Sequence, residues 1–218
     1  MHILLVSATQ MEIAPFLKEI KADIGNKEFS SHTYKGHKLD ILTTGVGAPQ
    51  TAYYLGKYLN NKYDLAINVG VCGSFNRNLR LGQVIQVSED YFADLGAEDN
   101  DKFLSISDLN LPGAYYVKNE NPYVAKNVPQ VRGVTVNTTH GNEQSIQKFT
   151  SRLKADVESM EGAAFMWACN KEKVKCLQLR SISNYVEKRD RNKWKISEAV
   201  LALGEVLIEI LVAVSQVA

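Results

Sequence analysis

With 218 residues, 45% of them hydrophobic, and a net charge of +1 at pH 7, the chain has the size of one domain whose core is shared by a sheet and several helices. Its lysines and arginines are scattered, so it carries no footprint for nucleic acid or for a membrane surface, and both roles are excluded. Cys72, Cys169 and Cys176 sit in apolar surroundings without metal-ligand spacing; they read as free thiols of a reducing compartment, with neither metal nor cofactor implied.

The opening residues MHILLVSA are apolar but lack a basic leader and a long hydrophobic core. They read as a buried strand over residues 2–7, not as a signal peptide. A helix is predicted from about Glu12 to Asp23, with Ile13, Phe16, Leu17 and Ile20 on its inner face. Residues 38–43 form a second strand, ending in Thr44-Gly45-Val46-Gly47, and Pro49 opens a helix that runs to about Asn60. Residues 65–69 read as a buried strand ending in the glycine-rich turn Gly70-Val71-Cys72-Gly73-Ser74, and residues 82–88 as another strand. From 92 to about 128 the sequence is polar, with proline and glycine, and predicts an excursion of loops. A strand returns at 133–137, followed by a helix at 143–153.

Residues 157–165, Val-Glu-Ser-Met-Glu-Gly-Ala-Ala-Phe, begin as a short strand and continue into an apolar helix to Asn170. Ser159 is its expected cap and Glu161 lies in its first turn. A strand at 175–182, a charged segment at 183–195 and a long final helix complete the chain. Glu205 and Glu209 interrupt that helix on one face, so it is a packing helix and not a membrane span. The alternation predicts one domain, residues 1–218, with three-layer α/β/α architecture and a mixed, mostly parallel central sheet.

Ligands of such sheets sit outside the carboxyl ends of the strands, and the polar candidates cluster there in sequence. Glu161, near the positive end of a helix dipole, stays ionised, and its two acceptor oxygens suit the adjacent hydroxyls of a ribose. A glutamate that merely complements the dipole is the competing reading. Glu12 follows the first strand, at a position suited to a general base and equally to a surface residue. The glycine turns at Val46-Gly47 and Cys72-Gly73 permit close approach of a ligand, yet match neither a dinucleotide fingerprint nor a phosphate P-loop. Asn184 falls where a strand gives way to a loop that carries Arg189, Arg191 and Trp194.

Met160-Glu161 after a short strand, Ser183-Asn184 after a longer one, the glycine-rich residues 68–74 and the early Glu12 resemble the nucleoside phosphorylase and nucleosidase superfamily. The resemblance runs from the first strand to the last helix and is weakest over residues 92–128. Val136-Asn137-Thr138-Thr139, residues 157–165, and Ser183-Asn184-Tyr185-Val186 followed by Arg189-Asp190-Arg191 bring the chain nearest, within it, to the futalosine hydrolases. These are nucleosidases of the alternative menaquinone pathway. The resemblance implies hydrolysis of the N-glycosidic bond of futalosine with release of hypoxanthine by a homo-oligomer of at least two copies, while the free thiols and the lack of a signal peptide or membrane span point to the cytoplasm.

Carried over residue by residue, it implies that Glu161 takes the ribose hydroxyls, with Met160 packed against the sugar, and that Glu12 activates the attacking water. Substrate contacts are implied for Val46, Gly47, Cys72, Gly73, Thr139, His140 and Ser183, and for Arg189 and Trp194 toward the 5′ substituent. Asn184 stands where adenosine-type nucleosidases have an aspartate that protonates N7. An asparagine can accept from N7–H and donate to O6, whereas an aspartate repels a 6-oxo oxygen, so Asn184 argues for a 6-oxopurine. A mismatched buried edge costs ~1–3 kcal/mol, enough to change substrate class. Phosphorolysis would need arginines near the glycine turns, and the first arginine is Arg77. The alternatives are a methylthioadenosine/S-adenosylhomocysteine-type nucleosidase, a 6-oxopurine nucleoside phosphorylase and, more remotely, a non-catalytic nucleoside-binding protein.

Overall fold

Strand β1 (His2–Ser7) is buried at every residue but its first, as the apolar run requires of a central strand. The computed structural model describes residues 1–215. The helix expected next is shorter and divided: a 3-10 turn, Gln10–Ile13, leads into α1 (Ala14–Glu19). Pro15 lacks an amide, so the α-helix proper begins around it, and Lys21 in the left-handed region (φ 52°) ends it early. Strand β2 (Phe29–Tyr34) has no counterpart in the sequence reading, because Ser30, Ser31 and His32 hide its period; it pairs antiparallel with β3 (His37–Thr43). Helix α2 (Ala48–Tyr58) begins as Pro49 predicts.

Strand β4 (Leu65–Ser74) overturns the expected glycine-rich turn, since Gly70 and Gly73 lie inside it. These glycines make room instead of turning the chain. A Cβ on Gly70 would stand 2.8 Å from Glu12 Oε1, and one on Gly73 would stand 3.2 Å from Asn184 Nδ2. Strand β5 (Val84–Tyr91) leads into residues 92–128, which carry three short strands: β6 (Gly96–Asp99), β7 (Lys102–Ser105) and β8 (Tyr116–Lys118). Then come β9 (Gln130–Thr135), α3 (Glu143–Arg152), β10 (Val157–Ser159), α4 (Gly162–Glu172), β11 (Cys176–Tyr185) and α5 (Ile196–Ser215).

The main sheet has the order β10-β9-β5-β11-β4-β1-β3-β2, with β8 on β5. Strand β1 runs parallel to β3 and β4, β11 to β4, and β9 to β5 and β10. Strands β11 and β5 pair antiparallel, so the sheet is mixed. Strand β10 also pairs with β4, Val157 opposite Ser74 and Glu158 opposite Gly73. The curled end of the sheet thereby closes a ring, β4-β11-β5-β9-β10. Ile3, Leu5, Leu177 and Leu179 pack with Phe16 of α1 and Leu203 and Leu207 of α5. Leu4, Val6 and Ala66 pack with Leu55 of α2 and Phe165 and Met166 of α4. Each such buried side chain is worth about 1.5–3 kcal/mol, and together they make the three layers. Glu205 and Glu209 are exposed, and among the described residues no helix is long and apolar enough to cross a membrane.

Candidate active site

At the carboxyl ends of β1, β4 and β11 lies a cavity of ≈ 250 Å³. Glu12, Glu161 and Asn184 line it, together with Val46, Cys72, Gly73, Thr139 and His140. Met160, Ser183, Arg189 and Trp194 complete the set that the sequence brings to this place. Gly47 does not line it; in the left-handed region at φ 104°, it turns its amide to Glu161 Oε1 at 3.0 Å.

Ser159 does not cap α4. It ends β10 instead, and its hydroxyl is buried without a hydrogen-bond partner among the described residues. Glu161 itself occupies the cap position but makes no capping bond with its side chain. Its carboxylate is thereby free of its own helix, with Oε1 on the Gly47 amide and Oε2 3.9 Å from Arg180 Nη2. Glu12 sits on the 3-10 turn, its Oε1 accepting from the Val71 amide at 3.1 Å and its Oε2 from the Thr9 amide at 3.0 Å. Burial and the charge of Glu161 push the Glu12 carboxyl above its ordinary value of 4.5, while the Val71 amide, Arg180 and the Thr9 amide pull against them.

Arg180 holds the pair together. It is 1% exposed, donates to Asn68 Oδ1 at 2.6 Å and to the Leu179 carbonyl at 3.0 Å, and leaves Nε unpaired among the described residues. A buried guanidinium demands anionic partners; Glu161 is the acid at 3.9 Å, and Glu12 and Asp90 feel its charge from further off. The signal is present in the sequence, since Arg180 is the one charged residue within Cys176–Tyr185, but it does not say which acids answer it.

Asn184 lies within β11, not past its end. The register against β4 slips between Ile182 and Asn184, a bulge that re-aims the side chain. Asn184 Nδ2 donates to the Tyr185 carbonyl at 3.1 Å, and Oδ1 accepts from Ser183 Oγ at 2.9 Å. One N–H and one lone pair remain for a ligand. Burial pushes the Cys72 thiol up to about 12, so Cys72 lines the cavity as an inert group. A third acid, Glu158, is 3% exposed and accepts from His140 Nδ1 at 2.7 Å and from the His140 amide at 3.1 Å. Sequence reasoning assigned it no role.

The charged segment is folded against the cavity. The Lys195 amide bonds the Ser183 carbonyl at 2.7 Å, and the Arg189 amide bonds the Gly141 carbonyl at 3.0 Å. Arg189 and Arg191 lie 5.0 and 6.0 Å over the Trp194 ring. An adjoining open groove of ≈ 430 Å³ is lined by Arg191, Trp194 and Lys195.

The chain is similar to the futalosine hydrolase of Streptomyces coelicolor, 30% identical over 222 residues that span 94% of this chain and 93% of that one. It is 26% identical over 208 residues to the 5′-methylthioadenosine/S-adenosylhomocysteine nucleosidase of Colwellia psychrerythraea, covering 84% of each. Its fold matches the solved structure of a futalosine hydrolase mutant of Helicobacter pylori with a TM-score of 0.80 at 17% identity, over 96% of this chain and 98% of that one. The fold, the acidic cavity and these kinships define an enzyme, a hydrolase of N-glycosidic bonds. More particularly, the chain belongs to the phosphorylase superfamily, whose pattern it matches over residues 2–213.

Proposed function

We propose that this enzyme is a nucleosidase that hydrolyses futalosine to hypoxanthine and dehypoxanthine futalosine, and that it serves menaquinone biosynthesis in the cytoplasm as an oligomer of at least two copies. The observation that carries the reading is the convergence of Glu12, Glu161 and Asn184 on one cavity around the buried Arg180. As the base leaves, the ribosyl carbon becomes cationic, and Glu161 steadies its hydroxyls. Water held by Glu12 captures C1′, and burial, by raising the Glu12 carboxyl, makes it a stronger base than a solvated glutamate. Asn184 accepts from N7–H once that nitrogen carries a proton, and donates to a 6-oxo group. Arg189 takes the carboxylate that ends the 5′ extension, with Trp194 as its aromatic wall.

Phosphorolysis fits the site poorly. The arginine nearest the Glu12 and Glu161 carboxylates, Arg180, is engaged by Asn68, and a phosphate dianion would meet Glu12. A second reading, a methylthioadenosine-type nucleosidase, shares Glu12 and Glu161 and parts from the first at Asn184. The test is release of free base from futalosine and from methylthioadenosine, with and without phosphate. Hypoxanthine should appear without phosphate, and Asn184→Asp should shift preference toward adenine about tenfold or more. Comparable wild-type cleavage of methylthioadenosine would overturn the base assignment, and a strict need for phosphate would overturn hydrolysis.

A further inference from the structure

An asparagine has no proton to give, so the nucleosidase reading, on which this inference rests, leaves the leaving purine without an acid. Among the described residues that line the cavity, His140 is the imidazole beside Asn184. His140 binds Glu158 twice, through Nδ1 at 2.7 Å and through its backbone amide at 3.1 Å. Its ring is held by Phe149 and Phe75, with centroids 4.6 and 6.1 Å away. Its Nε2 makes no hydrogen bond among the described residues, and His140 lines the cavity.

The pair lies beside Asn184. A Cβ on Gly73 would stand 3.2 Å from Asn184 Nδ2 and 3.4 Å from Glu158 Cγ, so only the bare glycine separates the two side chains. The closure of β10 on β4, with Glu158 opposite Gly73, produces this juxtaposition. A carboxylate on Nδ1 fixes the tautomer and orientation of an imidazole. A carboxylate this deeply buried, whose hydrogen bonds all come from one histidine, has little other employment.

We infer that His140, oriented by Glu158, is the acid that protonates the leaving purine. As the C1′–N9 bond breaks, its electron pair passes into the base, and the proton on His140 Nε2 passes to N7. Water bonds to C1′ and yields a proton to Glu12. Solvent then carries one proton from Glu12 back to His140, so the sum is base, sugar hydroxyl and restored enzyme.

The leaving group provides the test. In His140→Gln, kcat for the hypoxanthine nucleoside should fall about 100-fold or more with KM little changed, the scale of a lost general acid. On 4-nitrophenyl β-D-ribofuranoside, whose phenolate departs unprotonated, the same variant should lose less than about fivefold. If the wild type ignores that substrate, 7-methylinosine, already quaternised at N7, replaces it. Glu158→Gln should show the same pattern in weaker form, since it removes the carboxylate that orients the ring and leaves the imidazole in place. Equal losses on both classes of substrate, a change confined to KM, or near-normal kcat in His140→Gln would overturn the assignment. Failure of the wild type to release any base would instead sink the nucleosidase reading, so the two failures are distinct.

Discussion

The protonation of Glu12 answers to its burial, to Glu161 and to the charge of Arg180. A base must be ionised, and burial and Glu161 raise the Glu12 carboxyl above 4.5. Activity is therefore lost as pH falls through that raised value, earlier than for a solvated glutamate. Glu12→Gln should retain nucleoside binding and lose about two orders of magnitude or more in turnover; near-normal turnover would remove its role. Arg180 pulls the Glu12 carboxyl down, so Arg180→Met should move the acid limb of kcat/KM to higher pH, and Arg180→Lys should largely restore it. The methionine variant should also lose about 3–5 kcal/mol in a urea melt, because two buried acids lose their counter-charge. An unmoved acid limb would show that Arg180 does not act on Glu12.

At the scale of elements, the start of α4 positions Glu161, and it rests on a buried polar node. Asp90 of β5 accepts from the Tyr91 amide at 2.8 Å, Thr135 Oγ1 at 3.1 Å and Gln178 Nε2 at 3.1 Å. Thr135 Oγ1 in turn accepts from the Ala163 amide in the first turn of α4 at 2.7 Å. Gly162 fits only because it has no side chain, since a Cβ there would stand 2.0 Å from Gln178 Nε2 and 2.3 Å from Asp90 Oδ2. Gly162→Ala should cost about 1–3 kcal/mol by overpacking and should lower kcat by displacing Glu161. A variant with wild-type melting and turnover would contradict this account of the turn.

Burial pushes the Asp90 carboxyl up from 3.8 to about 6. The folded state then binds the proton more tightly than the unfolded state. The contribution of Asp90 to stability is greatest at low pH, declines as pH rises from 3.8 to about 6, and is level above, a difference on the order of 3 kcal/mol. Asp90→Asn should flatten that slope relative to wild type in urea melts at pH 4, 5 and 7. Parallel slopes in the two proteins would refute the assignment.

For the whole molecule, the three cysteines report on integrity. Cys72, Cys169 and Cys176 are free and buried, and burial pushes the Cys72 thiol up to about 12. A thiol reacts as its thiolate. The native enzyme should therefore leave a disulfide reagent such as DTNB almost unconsumed at pH 8, and urea should release three equivalents. One fast equivalent before unfolding would show that a cysteine, Cys72 in the cavity first of all, opens to solvent.

The apolar period of β1, the proline that opens α2 and the glutamates on the outer side of α5 are local properties, so the sequence alone determined those elements and the α/β class. It also singled out Glu12, Glu161 and Asn184, because helix starts and strand ends are local signals. Pairing is not local. Whether Gly70 and Gly73 turn the chain or run inside a strand depends on what stands beside them, and that was decided by the approach of Glu12 and Asn184. The bulge that aims Asn184 exists only in the register of β11 against β4. Glu158 meets His140 and the Gly73 backbone only because β10 closes on β4. A buried arginine announces in sequence that acids must answer it, but which acids do so is set by the strands that carry them together. Tertiary structure alone brought Glu161 to Arg180, with Glu12 and Asp90 near enough to feel its charge, since the cost of burying a charge is met by whichever opposite charges the fold delivers.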